Sequence, residues 1–332
     1  MRDFIAIGEN LHCSRSVRTA GPRVRGGAIV FEGGSLPVPA VIRDGAEWAG
    51  GRVRPCAVAA WQALHGDETG RQAAVAYVGR LAAAQAAAGA RYLDVNVDEF
   101  SADVAACCAA MRWMASAAQA AAPAVLSVDS PRPEILEAGL AACDPARGAP
   151  LLNSVSLERP QTAALAARFG AAVVASAAGA SSVPPTAAGR LANVMTLLER
   201  LAAQQIAGGR VFVDPLVLPA ATDGTQPGVT LETIRAVRRA CGRDVHATAG
   251  IGNVSFGLPH RRLLNEVFTW LALEAGADSG IVDPVLSGPA RIAALDPGSE
   301  PFRLAAALLR GEDEYGAAFL AASREGRLGA AR

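Results

Sequence analysis

The chain has 332 residues, 51% of them hydrophobic, with 31 basic residues against 31 acidic ones. It can bury one large core, and it carries no net field that would draw nucleic acid. All the basic residues are arginine, which excludes Schiff-base chemistry, a lysine-held pyridoxal phosphate and a phosphate-loop lysine.

In chain order, residues 4–7 read as a short buried strand running out into Gly8, Glu9, Asn10, Leu11 and His12. Residues 15–54 change character, with Gly, Pro and seven Arg against three acids and no helical period. They are too long for an ordinary connection. They read as an insertion with a small hairpin over 28–31 and 37–42, either plain surface or a lid or docking loop. A regular alternation follows. A helix over 68–88 leads to a strand at 92–95, and one over 102–121 to a strand at 124–128. A helix over 133–142 has proline in its first turn and leads to a strand at 150–152. Helices over 161–169 and 187–206 lead to strands at 172–175 and 211–213. Thr230 is expected to cap a helix running to Ala240, before a strand at 244–247. The glycine-punctuated turn 248–262 then enters a helix over 263–275 and a last strand at 279–282. Met111 and Met114, at helical spacing, are expected in the core.

Eight short apolar strands separated by helices predict a closed (β/α)8 TIM barrel, an α/β fold occupying 1–332 as one domain, with the 15–54 insertion after the first strand. An open doubly wound sheet is the rival. Against it, no GxGxxG follows the first strand, and polar residues stand at the ends of nearly all strands instead of at one crevice. The six cysteines (Cys13, Cys56, Cys107, Cys108, Cys143, Cys241) show no CxxC or zinc spacing, so reduced, packed thiols are expected. No cationic segment followed by a long apolar one opens the sequence, and no run is apolar enough to span a bilayer. The expectation is a cytoplasmic protein with neither membrane nor nucleic acid as partner.

The strand ends carry the chemistry. Glu9 and Asn10 follow the first strand, Asp94 and Asn96 close the second, Asp129 and Ser130 the third, and Asn153 and Ser154 the fourth. Asp214 closes the sixth, Asn253 and Ser255 follow the seventh, and Asp283 follows the eighth. Any one such residue could simply cap the next helix. Their recurrence at one rim instead predicts an acceptor-rich cavity with little positive charge. Such a cavity suits a flat heterocycle rich in N–H donors better than a phosphorylated sugar. An aminopyrimidine offers adjacent N–H groups to a carboxylate and a carbonyl to an amide, which makes pterins and folates the obvious candidates. Of the histidines, only His12 lies among these acids, and His246 falls inside a strand, so no metal site is expected.

The segments IGEN (7–10), LDVNVDE (93–99), VDSPRPEILEAGL (128–140), LNSVSLE (152–158), VDPLVLP (213–219) and GIGNVSFGLPHRRLLN (250–265) resemble the pterin-binding methyltetrahydrofolate:corrinoid methyltransferases of the dihydropteroate synthase-like superfamily. The resemblance covers residues 4–284 apart from the insertion. It implies a TIM barrel that binds folate at its mouth. It also implies that Asp129, Asn153 and Asp214 hold the pterin ring and that Asn253 hydrogen-bonds the methyl-bearing nitrogen. Glu9, Asp94, Asn96 and Ser255 would line the same cavity, and Arg261 or Arg262 would match a motif arginine. The implied reaction moves a methyl group between tetrahydrofolate and the cobalt of a cobamide held by a separate corrinoid protein, in either direction. A homodimer is the family expectation.

A tertiary amine is a poor leaving group, so the nitrogen must gain positive character, from a proton or a hydrogen-bond donor, for the methyl to leave. A hydrogen-bond network through Asn253, with Asp94, would stabilise that change in the transition state. The chain departs from the family pattern at Pro131-Arg132-Pro133, at 177–180 and at Gly252, which bears on the folate tail and the corrinoid interface. Two alternatives stand beside this reading. One is a non-catalytic folate-binding or assembly subunit. The other is a dihydropteroate synthase-like condensing enzyme, which needs a lysine near the pterin that this chain lacks.

Overall fold

A computed structural model describes residues 4–329. Eight strands alternate with helices in the expected order: β1 (Ile5–His12), α1 (Pro55–His65), α2 (Glu68–Ala87), β2 (Ala90–Asn96), α3 (Val104–Ala121), β3 (Val125–Asp129), α4 (Pro133–Ala141), β4 (Leu151–Val155), α5 (Gln161–Arg168), β5 (Ala172–Ser176), α6 (Ala187–Ala203), β6 (Val211–Asp214), α7 (Gln226–Cys241), β7 (His246–Ala247), α8 (Arg261–Ala275) and β8 (Ser279–Val282). The strands follow one another in the sheet as they do in the chain, with β1 next to β8. The two end strands of the sheet meet through a parallel bridge between Gly250 and Ile281. This is the (β/α)8 barrel that the periodicity predicts. Among the described residues no helix is long and apolar enough to cross a membrane.

The described residues form two compact units, Gly8–Asn153 and residues 4–7 with 154–329. In the first, β2, β3 and β4 pair in parallel with Asp94 beside Ser127 and with Asn96, Asp129 and Asn153 in one row. Residues two apart on a strand share a face, so this register stacks two polar layers at the strand ends. Leu93, Val95, Leu126 and Val128 point to the other face and are buried there. Met111 and Met114 of α3 are fully buried, as their spacing predicts. Gly139 lets α4 lie close on β3, since a Cβ there would run into Val128 and Met111.

The insertion is a folded appendage of this unit. A two-residue turn with Gly33 at φ +89° joins Ala28–Phe31 to Gly34–Pro37, and Val24–Arg25 adds a third strand. The second hairpin strand is therefore 34–37 and not 37–42. The tight turn fixes the register at Phe31 opposite Gly34, and residues 40–43 become a short helix. Phe31 meets Tyr77 of α2 edge-on at 5.3 Å, Arg23 donates to the Tyr77 hydroxyl at 3.1 Å, and Gln62 of α1 donates to the Pro37 carbonyl at 2.7 Å. Arg54 pairs with Glu47 and Glu99.

In the second unit, β5 and β6 pair with Ser176 beside Asp214. The core of Val267, Phe268 and Leu271 on α8 meets Phe302 and Phe319, which lie on two further helices, α9 (Glu300–Arg310) and α10 (Ala317–Arg324). Helix α7 starts at Gln226 with proline in its first turn, and its cap position falls at Thr225, five residues before the expected Thr230. Thr230 is consequently not a cap but a buried residue of the helix interior, donating to the Leu216 carbonyl at 2.7 Å. Strand β1 also runs on through His12. Its polar residues read as a turn in the sequence, yet they are satisfied in the strand, where the Asn10 N–H donates to Gln85 Oε1 at 2.9 Å and His12 reaches Asp94.

Candidate active site

In the unit Gly8–Asn153 the strand-end residues form two neighbouring hydrogen-bonded groups. Asp94 is fully buried. One of its oxygens accepts from Ser127 and, at 3.4 Å, from Asn153 Nδ2, and the other lies 2.8 Å from His12 Nε2. Asn96 Nδ2 donates to Asp129 at 3.0 Å and to Asp98 at 2.8 Å, and the Ser130 hydroxyl donates to Asp98 at 2.6 Å. Burial and the charge of Asp94 push the Asp129 carboxyl up to about 7, against the pull of His12 and Asn96. Burial opposes protonation of His12, but the hydrogen bond and charge of Asp94, with the charges of Asp129 and Glu9, outweigh it and hold His12 above the ordinary imidazole value.

His12, Asp94 and Asp129 bring their ligand atoms within 4.8 Å of one another. His12 is the one histidine that the sequence places among the strand-end acids, and in the structure it lies inside the cluster. A cation there would have to break the His12–Asp94 contact, because both Asp94 oxygens already accept hydrogen bonds. Cys13 makes no nucleophilic dyad with His12. It is fully buried, burial and the neighbouring Cys56 and Cys107 hold its thiol well above the usual range, and His12 spends Nε2 on Asp94. Glu9, in the same strand, pairs with Arg15 at 3.3 Å.

In the second unit, Asp214 closes β6 and accepts from the Leu216 N–H at 3.0 Å. Burial pushes its carboxyl up to about 6, while that N–H and the charge of Arg190 pull it down. Arg190 of α6 is fully buried. Its guanidinium donates to the carbonyls of Pro184, Pro215 and Leu216, to Thr230 and to Gln226, at 2.6–3.3 Å. These bonds fix the turn after Asp214, where Leu216 sits at φ +67°. Arg190→Met is expected to cost about 3 kcal/mol of stability, since several buried carbonyls lose their donor. Urea unfolding that shifted by less than about 1 kcal/mol would show that the turn does not depend on it.

After β7 the chain forms a 3-10 turn, Ile251–Ser255. Asn253 is exposed there, with its amide above Gly250. Ser255 does not face outward with it. It is fully buried, donates to the Gly252 carbonyl at 3.3 Å and accepts from Arg261 Nε at 3.0 Å. Arg261 is the arginine that serves this turn: it also donates to the Gly252 carbonyl at 3.0 Å and lies 4.4 Å from the centre of the Phe256 ring. Arg262 turns instead toward Glu266, at 4.0 Å. Asp283 accepts from the N–H groups of Val285 and Leu286, the capping role that any single strand-end acid can have.

Sequence reasoning did not single out Asp98, Ser127, Arg190 and Phe256. The alternation of LDVNVDE carried a signal for Asp98, which lies two residues beyond Asn96 as Asn96 lies two beyond Asp94. An arginine inside a helix carries none for Arg190.

Residues 68–283 match the profile of a family described as pterin binding enzyme. A methylcorrinoid:tetrahydrofolate methyltransferase of Eubacterium limosum is 31% identical over 217 residues, which cover 63% of this chain and 76% of that protein. Among solved structures, the dihydropteroate synthase of Yersinia pestis with a pterine-sulfa conjugate matches with TM-score 0.52 at 17% identity, over 66% of this chain and 87% of that one. The dihydropteroate synthase of Thermus thermophilus matches with TM-score 0.50 at 20% identity, over 65% and 85%. At these identities the structural likeness is one of fold.

Proposed function

Because the chain belongs to the pterin-binding methyltransferase family, we propose that it moves a methyl group between methyltetrahydrofolate and the cobalt of a cobamide carried by a separate corrinoid protein. The observation that carries this reading is the row Asn96, Asp129 and Asn153, in register on three neighbouring strands. A carboxylate flanked by two amides offers paired acceptors to the N–H groups of an aminopyrimidine and a donor to its carbonyl. The likeness to the Eubacterium limosum enzyme supports the choice of folate and corrinoid.

On this reading Asp129, Asn153 and Asp214 hold the pterin, Asn253 serves the methyl-bearing nitrogen, and Asp94 and Asn96 tie the ring-binding groups in place. Written toward cobalt, the N–CH3 bond breaks, the methyl joins the cob(I)amide cobalt through the metal's electron pair, and the nitrogen keeps the bonding pair and takes up a proton. The reverse direction releases that proton. A hydrogen bond that strengthens as this nitrogen changes charge lowers the barrier without a covalent intermediate on the protein. The arginine-bearing insertion is the segment we assign to the corrinoid protein or to a cover over the folate. Unchanged transfer to the partner after removal of residues 18–54 would withdraw that role.

The test is to mix the protein with methyltetrahydrofolate and cob(I)alamin, and separately with methylcobalamin and tetrahydrofolate, and to follow the cobalt spectrum. The expected result is interconversion of cob(I)alamin and methylcobalamin. Folate binding without any spectral change would point instead to a non-catalytic folate-binding subunit.

A further inference from the structure

Of the chain's nine phenylalanines, Phe256 is the exposed one among the described residues, at 48% of its surface. A free phenylalanine face is common enough to mean little by itself, but this one is built into the turn that carries Asn253. In a 3-10 helix, side chains three residues apart eclipse one another. The Asn253 N–H donates to the Gly250 carbonyl at 3.1 Å and the Phe256 N–H to the Asn253 carbonyl at 3.2 Å. Gly250, Asn253 and Phe256 therefore follow one another along a single edge of the turn. The first has no side chain, the second presents an amide and the third an aromatic ring.

The ring is held from one side. The Arg261 guanidinium lies 4.4 Å from its centre. Arg261 is itself tied by Nε to Ser255 and by Nη2 to the Gly252 carbonyl, so the platform is fixed before any ligand arrives.

We propose that Phe256 is the platform for the p-aminobenzoyl ring of folate, so that the turn reads the methyl-bearing nitrogen with Asn253 and the aromatic tail with the next side chain on the same edge. This rests on the function proposed above and adds to it a preference for folates over pterins that lack the tail. Pterins and folates share the fused ring and differ by an aromatic group one short link away. An amide followed by an exposed ring is the order in which a folate would meet them.

The test compares the dissociation constants of methyltetrahydrofolate and of 6-methyltetrahydropterin, which has no aminobenzoyl tail, on the full chain and on Phe256→Ala and Phe256→Trp. The wild type is expected to favour the folate. Phe256→Ala should weaken folate binding about fivefold to tenfold and leave the pterin within about twofold, and Phe256→Trp should restore the preference. Equal weakening of both ligands, or no change in either, would overturn the proposal. So would unchanged folate binding with slower transfer to the corrinoid protein, which would give the ring to the partner. A wild type that binds neither ligand would remove the underlying function, and this inference with it, whereas a wild type that binds both without preference overturns the platform alone.

Discussion

Replacing Asn253 by alanine is expected to slow methyl transfer by about two orders of magnitude, the typical loss when one preorganised donor at a reacting centre is removed. The methyl-bearing amine is a weak acceptor in the ground state. As the carbon leaves, its bonding pair stays on nitrogen, and an amide aimed at that atom gains most of its strength on the way to the transition state. Folate affinity should therefore change by only about threefold while kcat falls. The variant should fold, because the Asn253 side chain is exposed and the turn is held by Ser255 and Arg261. Exposed substitutions away from such holding contacts stay within about 0.5 kcal/mol. Single-turnover kinetics with cob(I)alamin, alongside equilibrium folate binding, separate the two effects. Losses of equal size in both would mean that Asn253 binds the substrate and does not act on the reaction.

Asp129→Asn is expected to pull stability and binding in opposite directions. The Asp129 carboxyl stands at about 7 in the folded protein because of burial and the charge of Asp94, while in the unfolded chain it titrates as an ordinary carboxylate. A folded-state value above the unfolded one means that the unfolded chain gives up its proton first. Stability is then lost as the pH rises from about 4 through about 7, and it stays lost above that. Asparagine does not titrate, so the variant should melt higher than the wild type at pH 8, by an amount that shrinks toward pH 4.

Binding runs the other way. A carboxylate clasps two ring N–H groups and a neutral amide cannot, so affinity at pH 8 should drop by about two orders of magnitude. Wild-type affinity should itself weaken as the pH falls below about 7, where Asp129 takes up a proton. Thermal melts and folate titrations from pH 5 to pH 8 read both trends. A variant less stable than the wild type at pH 8 would show that Asp94 and Asp129 do not burden the fold.

Much of the barrel was legible because strands buried on both faces read as short apolar runs, and helices such as 68–88 differ from their observed bounds by a residue. The errors fell where tertiary structure outweighs local preference. Strand β1 keeps Glu9, Asn10 and His12 in extended backbone because partners such as Gln85 and Asp94 satisfy them, and one strand's sequence does not reveal its neighbours. Thr230 resembles a cap because a hydroxyl before an apolar run often is one, but Pro227 had already opened that helix. That Asp94, Asn96, Asp129 and Asn153 come together could be read from strand ends alone, since a parallel register turns equal positions into neighbours. Ser255 was expected beside Asn253 and is buried against Arg261 instead, because a 3-10 turn points successive side chains in different directions.

A guanidinium keeps its proton at any pH the fold survives, whereas a carboxyl does not. Underneath Asp214 this makes an asymmetric pair. Acid below about pH 6 neutralises the aspartate and leaves Arg190 sealed among carbonyl dipoles with its nearby counter-charge gone. The segment from Pro215 to Leu216 is thus a place where mild acidity has leverage on an otherwise apolar interior, even though the residue that makes it so never titrates.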